Sequence, residues 1–280
     1  MGARYGQHFL HDKNFLQCFL KVGNYSKKDL LIEIGPGKGT LTEIFLNQVK
    51  KIIAIEIDPN LVSFLKKKFS ACKDVSLIQR DILQINFNEL INDKNSFDNI
   101  DVVGNLPYYL ATKLLLKLLI NYHSLFRSFT FMFQKEVGER IISPPKTKNY
   151  AYLSVVTQFF SDVKVVKVAS PSMFSPKPKV SGIILFFKLK TNFSIKKKDF
   201  FLYFFFLRVI FFWKRKTINN NLKLFFLKKQ TYRDAEFFLF KRAEELSQKE
   251  FILLFSLLKK EIYINVFFLY FFYFLIKERK

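Results

Sequence analysis

Cysteine is scarce in this 280-residue chain: Cys18 and Cys72 fit neither a paired metal spacing nor a disulfide framework. That excludes a disulfide-stapled scaffold and a thiolate metal centre, and it fits a reducing compartment. Histidine is as sparse. His8, His11 and His123 stand in no ligand pattern, so no metal is expected. Long apolar runs are missing too, since a membrane span needs roughly 18–20 residues. Phe200–Trp213 is broken by Arg208, and Ile262–Ile276 carries Asn265. No charged, apolar, small-residue series opens the chain, so no cleaved secretory leader and a cytoplasmic location are expected.

Negative charge is short as well: 23 Asp and Glu stand against 46 Lys and Arg, a formal net charge of +23. Such an excess attracts polyanions, nucleic acid first and an anionic membrane second. A compositional bias toward Lys, Phe, Ile and Asn would raise the charge without any partner, so charge alone leaves the partner open. The length suits about two domains and a core that needs no staples.

The pattern along the chain alternates strand with helix. After polar residues 1–29, with a helix-like stretch at Phe15–Val22, short apolar runs predict strands at Leu30–Ile34, Ile52–Ile57, Val75–Gln79, Ile100–Gly104 and Phe129–Phe133. Helical spacing lies between them at Thr40–Val49, Leu61–Phe69 and Thr112–Ile120, and Val163–Val168 and Gly182–Lys188 form a closing pair of strands. This order predicts an α/β fold with a mostly parallel sheet covered on both faces. Beyond Lys188 the strand signal stops. The expected domains are an α/β domain at 1–190, a helical domain at 191–260 and an aromatic tail at 261–280.

Between the first strand and first helix lies Glu33-Ile34-Gly35-Pro36-Gly37-Lys38-Gly39-Thr40. Gly35 and Gly37 let the backbone turn sharply and approach a ligand, with the N–H groups of the following helix behind them. Glu56 ends the second strand, where a carboxylate can accept from both ribose hydroxyls, and Asp81 ends the third, where it can take an adenine amine. A solvated carboxylate at Glu56 and a helix cap at Asp81 are the plain alternatives. The dinucleotide fingerprint wants glycine where Thr40 stands, and no P-loop ending in Lys-Ser/Thr is present. S-adenosylmethionine carries no phosphate and suits such a loop with acidic partners.

Asn105-Leu106-Pro107-Tyr108 follows the fourth strand. An adenine amine is a poor nucleophile because its lone pair is delocalised into the ring. Two acceptors, the Asn105 carboxamide oxygen and the Leu106 carbonyl, can hold its hydrogens and restore a tetrahedral nitrogen. Pro107 keeps Leu106 extended, and Tyr108 offers an aromatic face to a base taken out of its stack. Phe174 is a second candidate stacking surface, against a plain core aromatic. Lys177 and Lys179, in the stiff Ser175–Lys179 loop, are candidates for phosphate contact, against a solvated loop.

These segments together resemble the KsgA-type family of small-subunit ribosomal RNA adenine dimethyltransferases, over roughly residues 4–258. The resemblance rests on GQHFLHD at 6–12, EIGPGKGTLT at 33–42, AIEID at 54–58, GNLPYY at 104–109 and QKEVGERI at 134–141. It continues through YAYLSV at 150–155, MFSPKPKVSG at 173–182, RKTINNNL at 215–222 and RAEELS at 242–247. It implies a Rossmann-like S-adenosylmethionine-dependent methyltransferase sheet with a small C-terminal all-α domain that helps bind the small ribosomal subunit. The implied reaction puts four methyl groups on two adjacent adenines in a loop near the 3′ end of small-subunit rRNA.

The family's cofactor contacts fall here on His8, Leu10, Gly35, Glu56, Asp81 and Asn105, with His8 replacing the usual Asn. Arg215, Lys216 and Lys223 become candidate RNA contacts, against a solvated helix face. A monomer without metal or membrane span is expected. Three other readings stay open: a non-catalytic ribosome-assembly factor, the same chemistry on large-subunit rRNA, and NAD-dependent oxidoreduction, which Thr40 and the basic charge disfavour.

Overall fold

A computed structural model describes residues 9–10, 12–91, 93–223 and 233–277. Two compact units form, Met1–Glu139 with Phe160–Thr191, and Arg140–Phe159 with Asn192–Lys280. The units change over at Thr191/Asn192, beside the boundary expected near 190, and the second unit also includes residues 140–159.

In the first unit, β1 (Phe9–Leu10) precedes α1 (Lys13–Val22), whose N-cap Asp12 accepts from the Phe15 N–H at 3.0 Å. There follow β2 (Leu30–Ile34), α2 (Thr40–Phe45), β3 (Lys51–Glu56), α3 (Pro59–Lys68), β4 (Val75–Gln79), α4 (Phe87–Leu90), β5 (Ile100–Gly104), α5 (Tyr108–Tyr122) and β6 (Ser128–Gln134). α6 (Lys135–Ile142) and α7 (Tyr152–Phe160) carry the chain out of this unit and back. Then come β7 (Ser161–Ala169), the short β8 (Phe174–Ser175) and β9 (Gly182–Leu189).

The main sheet has seven strands in the order β4-β3-β2-β5-β6-β9-β7. The first five are parallel, and β9 runs antiparallel to both β6 and β7. β2 and β5 are buried along their whole length, as central strands covered on both faces must be. β8 pairs separately with β1, Leu10 against Phe174. One side of the core gathers Phe15, Phe19, Leu41, Phe45, Met132, Phe174 and Ile184.

At the amino ends of the strands, Arg127 pairs with two carboxylates that are at most 1% exposed, Asp29 at 3.1 Å and Asp101. Burial raises the Asp101 pKa, against its bonds from Arg127 and Ser128. This cluster ties the starts of β2, β5 and β6 together on the edge away from the glycine loop.

The second unit is helical, with α8 (Phe200–Ile210), α9 (Ile218–Leu222), α10 (Glu236–Leu239) and α11 (Gln248–Lys277). Its core is aromatic: Tyr203 lies 5.3 Å from Phe159 and 5.2 Å from Phe255 between ring centroids. The apolar run from Phe200 is thus a core helix, as its length requires. α11 runs on past Lys260 to Lys277. Among the described residues no helix is long and apolar enough to cross a membrane. Nor do any three His, Cys, Asp or Glu among them form a group that could hold a metal ion.

Candidate active site

The sheet order reverses between β2 and β5. From β2 the chain steps outward through β3 to β4, and from β5 it steps the other way to β6. Ligands of open α/β sheets bind at such a switch, outside the carboxyl ends of the strands. Both sequence motifs emerge there, since β2 and β5 are paired with Glu33 opposite Val103.

The loop after β2 has left-handed backbone at Gly35 (φ 65°), Gly37 (φ 58°) and Gly39 (φ 77°). A side chain at Gly35 would be strained there, and its Cβ would stand 3.6 Å from Leu106 Cδ2. A Cβ on Gly104 would lie 2.8 Å from the Ile34 carbonyl oxygen. The glycine loop and the Asn105–Tyr108 segment therefore run side by side. Lys68 secures the loop from α3, donating to the Lys38 carbonyl at 2.7 Å and pairing with Glu43 at 2.8 Å.

Glu56 is 3% exposed and reaches under the loop. Its Oε2 accepts from the Gly37 N–H at 3.2 Å, and its Oε1 from Ile57 at 2.9 Å and Asp58 at 3.1 Å. A carboxylate has about four acceptor positions, so Oε2 keeps one beyond its bond from Gly37. Burial raises the pKa of Glu56, and the backbone N–H groups of Asp58, Gly37 and Ile57 oppose it.

Asp81 is half-buried and caps the turn Ile82–Gln84 through Oδ1, which accepts from Leu83 at 2.9 Å. The cap weighed in the sequence is present, and it leaves Oδ2 without a hydrogen bond among the described residues. Lys117, on α5, donates to the Leu83 carbonyl at 2.7 Å and to Ile85 at 2.8 Å. The helix that begins beside Asn105 thus also holds the Asp81 turn. Burial lowers the Lys117 pKa, and Asp81 opposes the shift.

Two more residues went unnoticed in the sequence. Glu33 is 1% exposed beneath the loop and accepts from the Thr42 hydroxyl at 2.6 Å. Burial pushes its pKa from 4.5 up to about 7. Lys117 was legible as a lone charge in the apolar run Leu114–Ile120. For Glu33, a carboxyl inside a five-residue buried strand was the signal.

Asn105 and Pro107 are half-buried and Leu106 is 3% exposed. Pro107 caps α5 with φ −52° and ψ 133°, its carbonyl accepting from Leu110 at 2.9 Å. Neither the Asn105 carboxamide nor the Leu106 carbonyl takes a hydrogen bond from the described residues. The Tyr108 backbone starts α5, while its ring lies outside the described residues, as do His8 and the Leu10 side chain. Phe174 is 4% exposed and packs in the core cluster with Phe15 and Met132. Lys177 and Lys179 are exposed beyond β8; in the second unit Arg215, Lys216 and Lys223 are exposed around α9.

The family model described as ribosomal RNA adenine dimethylase matches residues 2–260. The ribosomal RNA small subunit methyltransferase A of Clostridium acetobutylicum is 41% identical over 182 residues, 65% of this chain and 64% of that protein. Its namesake in Clostridium perfringens is 38% identical over 194 residues, 69% of this chain and 67% of the relative. The chain thus spans just under two thirds of the first of these relatives. A dimethyladenosine transferase from Plasmodium falciparum superposes with a TM-score of 0.74 at 25% identity, covering 91% of this chain and 98% of its own. The 23S rRNA methyltransferase ErmE shares the fold with a TM-score of 0.66 at 19% identity, over 90% of this chain and 99% of ErmE.

Proposed function

Because the chain belongs to the ribosomal RNA adenine dimethylase family, we propose that it dimethylates two adjacent adenines in the 3′-terminal loop of small-subunit rRNA during ribosome biogenesis. Its methyl donor in this reading is S-adenosylmethionine, and it works as a cytoplasmic monomer on the small ribosomal subunit. The observation that carries the proposal is the close approach of the left-handed glycine loop and the segment after β5, where a Cβ at Gly104 would meet the Ile34 carbonyl at 2.8 Å, beside two acceptors that no described residue occupies.

The residues fit the donor chemically. A loop without a phosphate cradle meets a cofactor without phosphate, and Glu56 keeps one acceptor position for a ribose hydroxyl. Asp81 keeps an oxygen for an amine. When bound, S-adenosylmethionine supplies an electrophilic methyl on a sulfonium. The Asn105 oxygen and the Leu106 carbonyl accept the two amine hydrogens of the target adenine and turn its lone pair outward. Orientation then provides most of the acceleration. The alkylated nitrogen is acidic and loses its proton to water, so no buried base is needed. Tyr108 stacks on the extruded base, and the exposed lysines at 177 and 179 meet phosphate.

The test is to incubate the protein with labelled S-adenosylmethionine and unmethylated small subunits, with large subunits in a parallel reaction, and map the labelled nucleotides. Label on two adjacent adenines near the small-subunit 3′ end is expected. Label on large-subunit RNA moves the substrate, and no label leaves an assembly factor.

A further inference from the structure

The turn joining α8 to α9 leaves two aromatic rings partly exposed. Phe212 is 60% and Trp213 46% exposed, with ring centroids 5.8 Å apart. Lys214, Arg215 and Lys216 follow directly and are exposed, so five consecutive residues carry three positive charges and no carboxylate. The turn is held from beneath. Asn221, fully buried, accepts from the Trp213 N–H at 2.9 Å and donates to the carbonyls of Ile210 at 2.9 Å and Trp213 at 3.2 Å. The Lys216 N–H also donates to the Trp213 carbonyl, at 3.0 Å. Thr217 caps α9 and bridges to Arg242, which adds another exposed cation beside the turn.

Exposed aromatic area gains nothing from water, and a fixed backbone beneath it lowers the ordering needed to receive a ligand. Flat rings next to exposed cations are the arrangement that binds unpaired nucleotides, with bases on the rings and phosphates on the charges. A duplex offers no free base face. A protein partner would need carboxylates against this charge and apolar side chains against these rings.

We propose that Trp213, with Phe212, forms a stacking platform for an unpaired rRNA nucleotide whose flanking phosphates lie on Lys214, Arg215 and Lys216. This rests on the RNA substrate argued above and adds a base-stacking surface to the segment in which Arg215 and Lys216 were expected to contact RNA. The tryptophan is the chain's single one, so its emission reports on this turn alone.

The experiment titrates the full chain with a fluorescein-labelled twelve-nucleotide oligoadenylate, reading tryptophan emission and fluorescein anisotropy together. Quenching that tracks the anisotropy and weakens with salt is expected. Trp213→Ala should weaken binding roughly 5- to 150-fold, the range for one base–aromatic stack, and Trp213→Phe should retain most of it. Asn221 bonds the Trp213 backbone and not its ring, so both variants keep the turn; circular dichroism checks this. Unchanged emission while anisotropy rises, or no binding at all, overturns the proposal. So does emission that responds to RNA-free small-subunit proteins and not to RNA. An unquenched tryptophan with methyl transfer intact sinks only the platform. A quenched tryptophan without transfer sinks the methyltransferase reading instead.

Discussion

Replacing Glu33 with Gln removes a carboxyl that is 1% exposed and bonded to Thr42 at 2.6 Å. Burial raises its pKa from 4.5 to about 7, the Thr42 hydroxyl acting against burial and Glu56 with it. A folded value above the unfolded one means the native protein holds the proton more tightly, so ionisation opposes folding. Below 4.5 both states are protonated and nothing is lost. Between 4.5 and about 7 the unfolded chain ionises first and stability falls, and above about 7 the loss is complete. At about 1.36 kcal/mol per pH unit, this interval corresponds to roughly 3 kcal/mol as an upper bound. Gln keeps the shape and the acceptor for Thr42 but never ionises. The stability of Glu33→Gln relative to the natural chain should therefore rise by up to about 3 kcal/mol between roughly pH 4.5 and 8. Urea unfolding at several pH values measures it, and taking the difference cancels groups common to both. A difference flat across that range, or one that shrinks as pH rises, refutes the reasoning.

Gly104→Ala places a methyl 2.8 Å from the Ile34 carbonyl and 3.2 Å from Leu106. Overpacking of this kind costs about 1–3 kcal/mol, and the urea midpoint should fall together with methyl transfer; an unchanged midpoint contradicts the close approach at the switch. Lys117→Met frees the Asp81 turn, and the KM for the methyl donor should rise by roughly fivefold, near 1 kcal/mol for a partly solvated charged bond, while kcat holds. A fall in kcat alone would show that the turn does not serve the donor. Ending the chain after Ile264 keeps the fully buried Ile262 and should leave methylation intact; inactivity of a folded truncation would give the tail a role.

The strands of the sheet were legible because five short apolar runs, each bounded by Gly, Asp or polar residues, became five parallel strands within a residue or two of their expected ends. α2 stops at Phe45, short of the expected Val49, because Leu46 leaves helical geometry (ψ 134°) and Asn47 follows in left-handed backbone (φ 63°). Local periodicity could not show that residues 140–159 join the helical unit, since that membership rests on long-range aromatic packing such as Tyr150 on Phe251. The glycine loop and the Asn105–Tyr108 segment were visible as motifs, but their adjacency depends on strand order, which the sequence does not spell out. Phe174 stood out beside the prolines, but the pairing of its strand β8 with β1 is a long-range contact that local pattern does not carry.

The central claim is that Asn105 and the Leu106 carbonyl hold the target amine beside the donor loop. Its most direct test is the single-turnover rate of methyl transfer to unmethylated small subunits by Asn105→Ala, with RNA affinity measured alongside. The account predicts a rate lower by on the order of 10²–10³, as for loss of one preorganised polar contact to a reacting group, with RNA binding retained. Transfer at close to the natural rate, with RNA still bound, would contradict it.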